Sequence, residues 1–187
     1  MSPRVMPMRC ANGIQALCMP KARSLGLLVA LIILLADQAS KFYALGVLDL
    51  EFSGPLTLSP MIDLVLVWNR GISYGLFQQN ADFGRYVLVG LSLGAAIGFG
   101  LWLWRTHRFV PALAIGLLAG GAIGNGLDRL IRGAVVDFIL LHWGEWRWYV
   151  FNIADAAIVF GVALLLYDSW LGNAHPVEPD TVKDPSL

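Results

Sequence analysis

Residues 110–130 read VPALAIGLLAGGAIGNGLDRL, an apolar run that ends on Asn125, Asp128 and Arg129. A helix needs about 20 residues to cross the hydrocarbon core of a bilayer. This run has that length and keeps its charges for its last turn, so it predicts a transmembrane helix that is polar at one end only. Three other stretches have the same length and character: Leu25–Ala44, Tyr86–Trp104 and Ala154–Leu171. Composition points the same way. The chain is 57% hydrophobic and 14% charged, where a soluble domain carries roughly a quarter charged residues, so its apolar surface has to face lipid.

The charges between the spans set the orientation. The connection Arg105–Arg108 is short and basic, and the segment before the first span carries Arg4, Arg9, Lys21 and Arg23. The positive-inside rule places both on the cytoplasmic side. The first apolar run exceeds a signal-peptide core and lacks a small-residue cleavage site, so it is expected to be retained. The expected organisation is a basic cytoplasmic leader over 1–24, one four-helix membrane domain over 25–171, and an acidic, disordered cytoplasmic tail over 172–187 containing Glu178, Asp180 and Asp184. The fold class is mainly α, integral to the membrane, with Leu45–Arg85 and Ile131–Ile153 outside.

Within the first outer segment, Leu48–Phe52 and Leu64–Trp68 alternate in the manner of strands, broken by Gly54-Pro55 and Ser59-Pro60. Some 40 residues of this kind make a marginal sheet alone, so the β-rich segment is expected to lie on the membrane surface against the helices. The second outer segment holds Trp143, Trp146, Trp148 and Tyr149 and is expected to skim the headgroup region. Gly116, Gly120 and Gly124 in the third span, and Gly94 and Gly98 in the second, recur every four residues, which suits close helix packing. The Gly120–Gly126 cluster is no dinucleotide loop, because it follows no strand and lies inside an apolar span.

Composition and spacing also exclude several functions. Net charge is zero without a dense basic block, so nucleic acid is not an expected partner. Cys10 and Cys18 stand without a Cys-x-x-Cys pair or Cys/His cluster, so a zinc site is not expected. His107, His142 and His175 fall in separate connections or the tail and read as solvated polar residues.

The polar residues inside the spans all fall on the outer side. Asp37 and Lys41 lie in the last third of span one, Asn125, Asp128 and Arg129 end span three, and Asn152 and Asp155 begin span four. An ionisable group in a span costs roughly 2.5–3.5 kcal/mol on insertion scales and marks a functional site. Asp37 with Lys41 one turn later, and Asp128 with Arg129 or Arg132, read first as structural partners. Asp137 and Asp155 differ, since each is flanked by apolar residues with no local cation. Two such carboxylates brought together share a proton, the arrangement by which aspartic proteases activate water. Gly71-Ile72-Ser73-Tyr74-Gly75 matches a nucleophile elbow, but that device needs a large α/β sheet and a histidine, so Ser73 reads as structural. A proton-coupled transporter would favour midplane sites and internal repeats, and no repeat is present. A plain membrane scaffold leaves the two unpartnered carboxylates unexplained.

Five blocks, in order, resemble the bacterial lipoprotein signal peptidase (signal peptidase II) family: Asp37–Lys41, Asn69–Gly75, Gly120–Arg129, Gly133–Phe138 and Phe151–Asp155. The resemblance covers about Leu25 to Trp170, with Tyr74 standing where the family has Phe or Trp and with a longer leader. It implies an aspartic endopeptidase of the bacterial inner membrane that removes the signal peptide from diacylglyceryl-modified prolipoproteins just before the lipidated cysteine. Asp137 and Asp155 match its catalytic pair. Asn69, Gly71, Asn125, Asp128, Arg129, Asn152 and Ala154 match residues around substrate and pair, and Asp37 and Lys41 match a supporting block. The implied partners are prolipoproteins, membrane lipid and cyclic peptide antibiotics such as globomycin as inhibitors; no metal or cofactor is implied.

Overall fold

The computed structural model describes residues 11–71 and 82–173. Residues 72–75 of the Ser73 motif, Cys10, and the tail from residue 174 on, with His175 and its acidic residues, lie outside them. In chain order the elements are α1 (Ala11–Gly46), α2 (Leu50–Ser53), β1 (Leu56–Ser59), β2 (Ile62–Asn69), α3 (Asp82–Arg105), α4 (Phe109–Ile131), β3 (Val135–Trp143), β4 (Trp146–Phe151) and α5 (Ile153–Asn173). Four helices are long and apolar enough to cross a membrane: Lys21–Gly46, Phe83–Arg105, Phe109–Ile131 and Ile153–Leu171. Each contains one of the four spans read from the sequence, extended by a few residues, and α1 begins well inside the basic leader.

Helix α4 is the centre of the bundle. Two thirds of its apolar window is buried, against 11–17% for the other three, which pack around it and turn their remaining apolar surface outward. Close approach depends on the glycine stripe of α4. A Cβ at Gly116 would lie 2.4 Å from the Gly26 carbonyl, and one at Gly120 would lie 2.7 Å from that of Ala30, so only glycine admits α1 at this distance. The parallel expectation for α3 fails. A Cβ at Gly94 or Gly98 would meet nothing within 4 Å, because those glycines face away from the bundle.

The outer segments form a single antiparallel sheet in the order β1-β2-β3-β4. Leu64–Trp68 is strand, as its alternation predicts, whereas Leu50–Ser53 within the other alternating run is a short helix. The segment between α4 and α5 forms a hairpin whose β3 pairs with β2, joining Val67 to Asp137 and Asn69 to Val135. Two marginal two-stranded ribbons thereby become one four-stranded sheet. Ala44, Leu50, Leu64, Val136 and Phe138 bury themselves between this sheet and the end of α1, fixing β3 over the polar end of the bundle.

Candidate functional site at the polar end of the bundle

The chain turns from β4 into α5 at Asn152, and the local sequence Asn152-Ile153-Ala154-Asp155 makes a capping box. The Asn152 side-chain oxygen accepts the Asp155 N–H at 2.9 Å, and the Asp155 carboxylate accepts the Asn152 N–H at 3.4 Å. This cap serves the site as well as the helix. The Asn152 Nδ2 donates to Asp137 Oδ1 at 2.6 Å and to Asn125 Oδ1 at 3.2 Å. One buried amide thus ties the strand that carries Asp137 to the helix that carries Asp155.

Each carboxylate has a further asparagine donor. Asn69 Nδ2, at the end of β2, donates to Asp137 Oδ2 at 3.0 Å, and Asn125 Nδ2, from α4, donates to Asp155 Oδ1 at 2.8 Å. Asn69 also donates to the Tyr149 hydroxyl at 3.1 Å, and its own oxygen accepts the Gly71 N–H at 3.1 Å. Among the described residues neither Asp137 nor Asp155 has an ion-pair partner, while Asp37, Asp128 and Asp168 each have one. Asp137 is fully buried on its strand. Burial first, and then the charge of Asp155, push its pKa up to about 7, against the opposing pull of the Asn69 and Asn152 hydrogen bonds.

Beneath the two carboxylates lies a buried ionic network. Lys41 Nζ sits 2.7 Å from Asp37 Oδ2 and 2.8 Å from Asp128 Oδ2, with all three side chains fully buried. Asp128 also accepts from Arg132, from Gln38 at 3.1 Å and from the Val136 N–H at 3.1 Å. Arg132, not Arg129, is therefore its arginine partner. Asp37 accepts the Ala154 N–H at 3.0 Å. The network connects α1, α4, β3 and the start of α5, and Lys41 reaches the carboxylate layer through Asn125 at 3.3 Å.

Arg129 points the other way. Its guanidinium donates to the Gly71 and Asn125 carbonyls, each at 3.1 Å, and its Nε is buried without a partner among the described residues. It lines a cleft of about 300 Å³ between α3, α4 and α5, together with Asn69, Gly71, Ser92, Asn125 and Asp155. A second cleft of about 470 Å³ runs between the β3–β4 hairpin and α5, lined by Trp148, Tyr149, Phe151 and again Asp155. Asp155 stands where the two clefts meet.

All eleven residues singled out in the sequence converge here: Asp37, Lys41, Asn69, Gly71, Asn125, Asp128, Arg129, Asp137, Asn152, Ala154 and Asp155. Three others escaped the sequence reading as site residues. Gln38 bridges Asp37 and Asp128, and Tyr149 accepts from Asn69. Arg85 caps the last turn of α4 by donating to the Arg129 and Leu130 carbonyls, both at 2.7 Å. An arginine at the mouth of a span was the available signal for Arg85; Tyr149 was masked by its three tryptophan neighbours. His142 is not simply solvated, since its Nε2 lies 3.3 Å from Asp63 on the neighbouring strand.

The architecture is that of a known class of bacterial membrane enzyme. A structure of such an enzyme, solved by the in meso method at 2.3 Å resolution, superposes with a TM-score of 0.72 at 23% identity, covering 86% of this chain and 95% of the other. The sequence narrows the class. The profile of the signal peptidase (SPase) II family matches residues 29–171, and the chain belongs to that family. The lipoprotein signal peptidase of Methylobacterium radiotolerans is 51% identical over 159 residues, covering 85% of this chain and 89% of the relative. That of Methylorubrum extorquens is 52% identical, covering 77% and 84%. The chain is a multi-pass membrane peptidase of this family.

Proposed function

We propose that the chain is an aspartic endopeptidase of the bacterial inner membrane. It cleaves diacylglyceryl-modified prolipoproteins just before the lipidated cysteine, with Asp137 and Asp155 as the catalytic pair. The observation that carries the aspartic reading is the contrast among buried carboxylates: these two are held by asparagine amides with no direct ion-pair partner among the described residues, while their neighbours Asp37 and Asp128 are ion-paired. With Asp137 near 7, the pair holds one shared proton around neutrality. The ionised carboxyl takes a proton from the attacking water as its oxygen bonds to the scissile carbonyl carbon, and the protonated one donates to the carbonyl oxygen. Collapse of the tetrahedral intermediate breaks the C–N bond as one carboxyl gives its proton to the leaving amine of the cysteine and the other takes a proton from a hydroxyl of the intermediate, so the pair again holds one proton.

The surroundings fit this substrate. A signal helix and two acyl chains need apolar room on either side of the scissile bond, and the two clefts meeting at Asp155 offer it at one end of the bundle. The Arg129 Nε, without a partner among the described residues, is a donor for a substrate carbonyl, with Asn69 and Asn125 holding the carboxylates in place. Basic residues Arg23, Arg105 and Arg108 gather at the opposite end, which supports cytoplasmic termini and a site at the outer leaflet. Cyclic peptides such as globomycin would compete in the same clefts. The test is incubation of purified protein with lipidated and unlipidated precursor: release of the signal peptide from the lipidated form alone is expected, and equal cleavage of both would overturn the substrate assignment.

A further inference from the structure

At the end of the bundle away from Asp137 and Asp155, α1 and α3 pack on α4 from different sides and touch each other little. Between them lies a cleft of about 320 Å³ lined by Leu27, Ile97, Gly100, Leu101, Leu103 and Trp104, with Arg23 as its one charged wall. A Cβ at Gly100 would meet nothing within 4 Å, so that wall is open because a side chain is missing. The Arg23 guanidinium stacks on Trp104, 5.6 Å from the ring centroid, and its Nε is buried with no hydrogen-bond partner among the described residues.

A buried guanidinium donor without an acceptor is a costly arrangement, and a wall this apolar offers water few partners. Arg23 lies in the first turn of the Lys21–Gly46 span, at headgroup depth, while Leu27 lies one helical turn deeper, at acyl-chain depth. A phosphate diester supplies the missing acceptor at the first level, where arginine is its preferred partner, and an acyl chain fills the cleft at the second. We propose that the α1–α3 cleft holds one membrane phospholipid, its phosphate on Arg23 and one acyl chain along Gly100. This lipid is distinct from the acyl chains of any substrate, which would meet the protein at the opposite end. It wedges α1 and α3 in fixed relation across α4.

The test is native mass spectrometry of the delipidated, detergent-purified full chain, titrated with phosphatidylglycerol or with diacylglycerol. Wild type is expected to retain one phosphatidylglycerol and little diacylglycerol. Arg23→Gln should weaken retention about tenfold, the loss expected for one charge-assisted contact, and Gly100→Leu should abolish it by filling the cleft. Gly94→Leu, which also meets open space on α3 but lies away from this cleft, should retain the lipid as wild type does. Cooperative thermal unfolding of each variant checks its fold. Equal phosphatidylglycerol retention by wild type, Arg23→Gln and Gly100→Leu would overturn the proposal, as would equal retention of diacylglycerol by wild type.

Discussion

The carboxylate of Asp37 accepts the backbone N–H of Ala154 at 3.0 Å, joining residues 117 positions apart. Ala154 is in the first turn of α5, so a buried charge on α1 satisfies one of the N–H groups that a helix start leaves unpaired, directly beside Asp155. The same carboxylate pairs with Lys41, which also pairs with Asp128, and Arg132 on Asp128 supplies the second positive charge. The ionic layer is thus the mount on which the start of α5 is held against α4.

Removing one member of that layer leaves the others buried and charged. Lys41→Met should therefore lower stability by about 3–5 kcal/mol, as when a buried ion pair loses one partner, and lower cleavage with it. Asp37→Ala should behave alike and additionally free the Ala154 N–H. Parallel denaturation and cleavage assays check this; a Lys41→Met protein as stable as wild type would mean that the layer is not what anchors α5.

Two glycines on neighbouring helices should respond oppositely to one methyl group. A Cβ at Gly124 would lie 2.7 Å from Asp37 Oδ2, whereas one at Gly94 would meet open space. Gly124→Ala is expected to cost about 1–3 kcal/mol by overpacking and to impair cleavage, and Gly94→Ala to leave both within assay error. Thermal melts in detergent separate the two, and a neutral Gly124→Ala would contradict the close packing of α1 on α4.

Much of this was legible in sequence because lipid makes polar residues expensive. The four spans follow from apolar length, and Asp137 and Asp155 stand out as acids among apolar neighbours. Long-range pairing was not legible. Nothing local says that Asp128 prefers Arg132 to Arg129, that Ala154 donates to Asp37, or that the hairpin bearing Trp146 completes a sheet begun at Leu56, since strand partners depend on register between distant segments. The four-residue spacing of Gly94 and Gly98 misled for a related reason: spacing shows that a glycine face exists, not that another helix meets it.

The raised pKa of Asp137 fixes the sign of two pH effects. Its folded value of about 7 lies above the ordinary 3.8, so the folded protein keeps a proton that the unfolded chain releases. The associated stability is present below about pH 4 and is lost as pH rises through 7. Asp137→Asn removes this dependence, so its melting temperature relative to wild type should increase from pH 5 to pH 8. Wild-type kcat/KM should decline above about pH 7, where the pair loses its shared proton. A melting-temperature difference that falls with pH would contradict the assignment.

Orientation is tested by placing single cysteines at the two ends of the bundle in a Cys10→Ser, Cys18→Ser background. Glu145 lies in the exposed β3–β4 turn and His107 in the exposed α3–α4 connection. In cells with an intact inner membrane, an impermeant thiol reagent should label Glu145→Cys and not His107→Cys; the reverse pattern would put the site on the cytoplasmic side.

The aspartyl mechanism is tested most directly by single-turnover cleavage of a lipidated precursor by Asp137→Asn and Asp155→Asn, with Ser73→Ala as the competing nucleophile variant. An amide preserves the shape of each side chain but cannot accept the proton from water, and general acid–base catalysis contributes about 100-fold to 10,000-fold. Each Asn variant is expected to lose at least about 100-fold in rate while inserting and melting cooperatively, and Ser73→Ala to retain most of its activity. Cleavage by either Asn variant near the wild-type rate, or loss of cleavage in Ser73→Ala alone, would contradict the assignment of Asp137 and Asp155 as the catalytic pair.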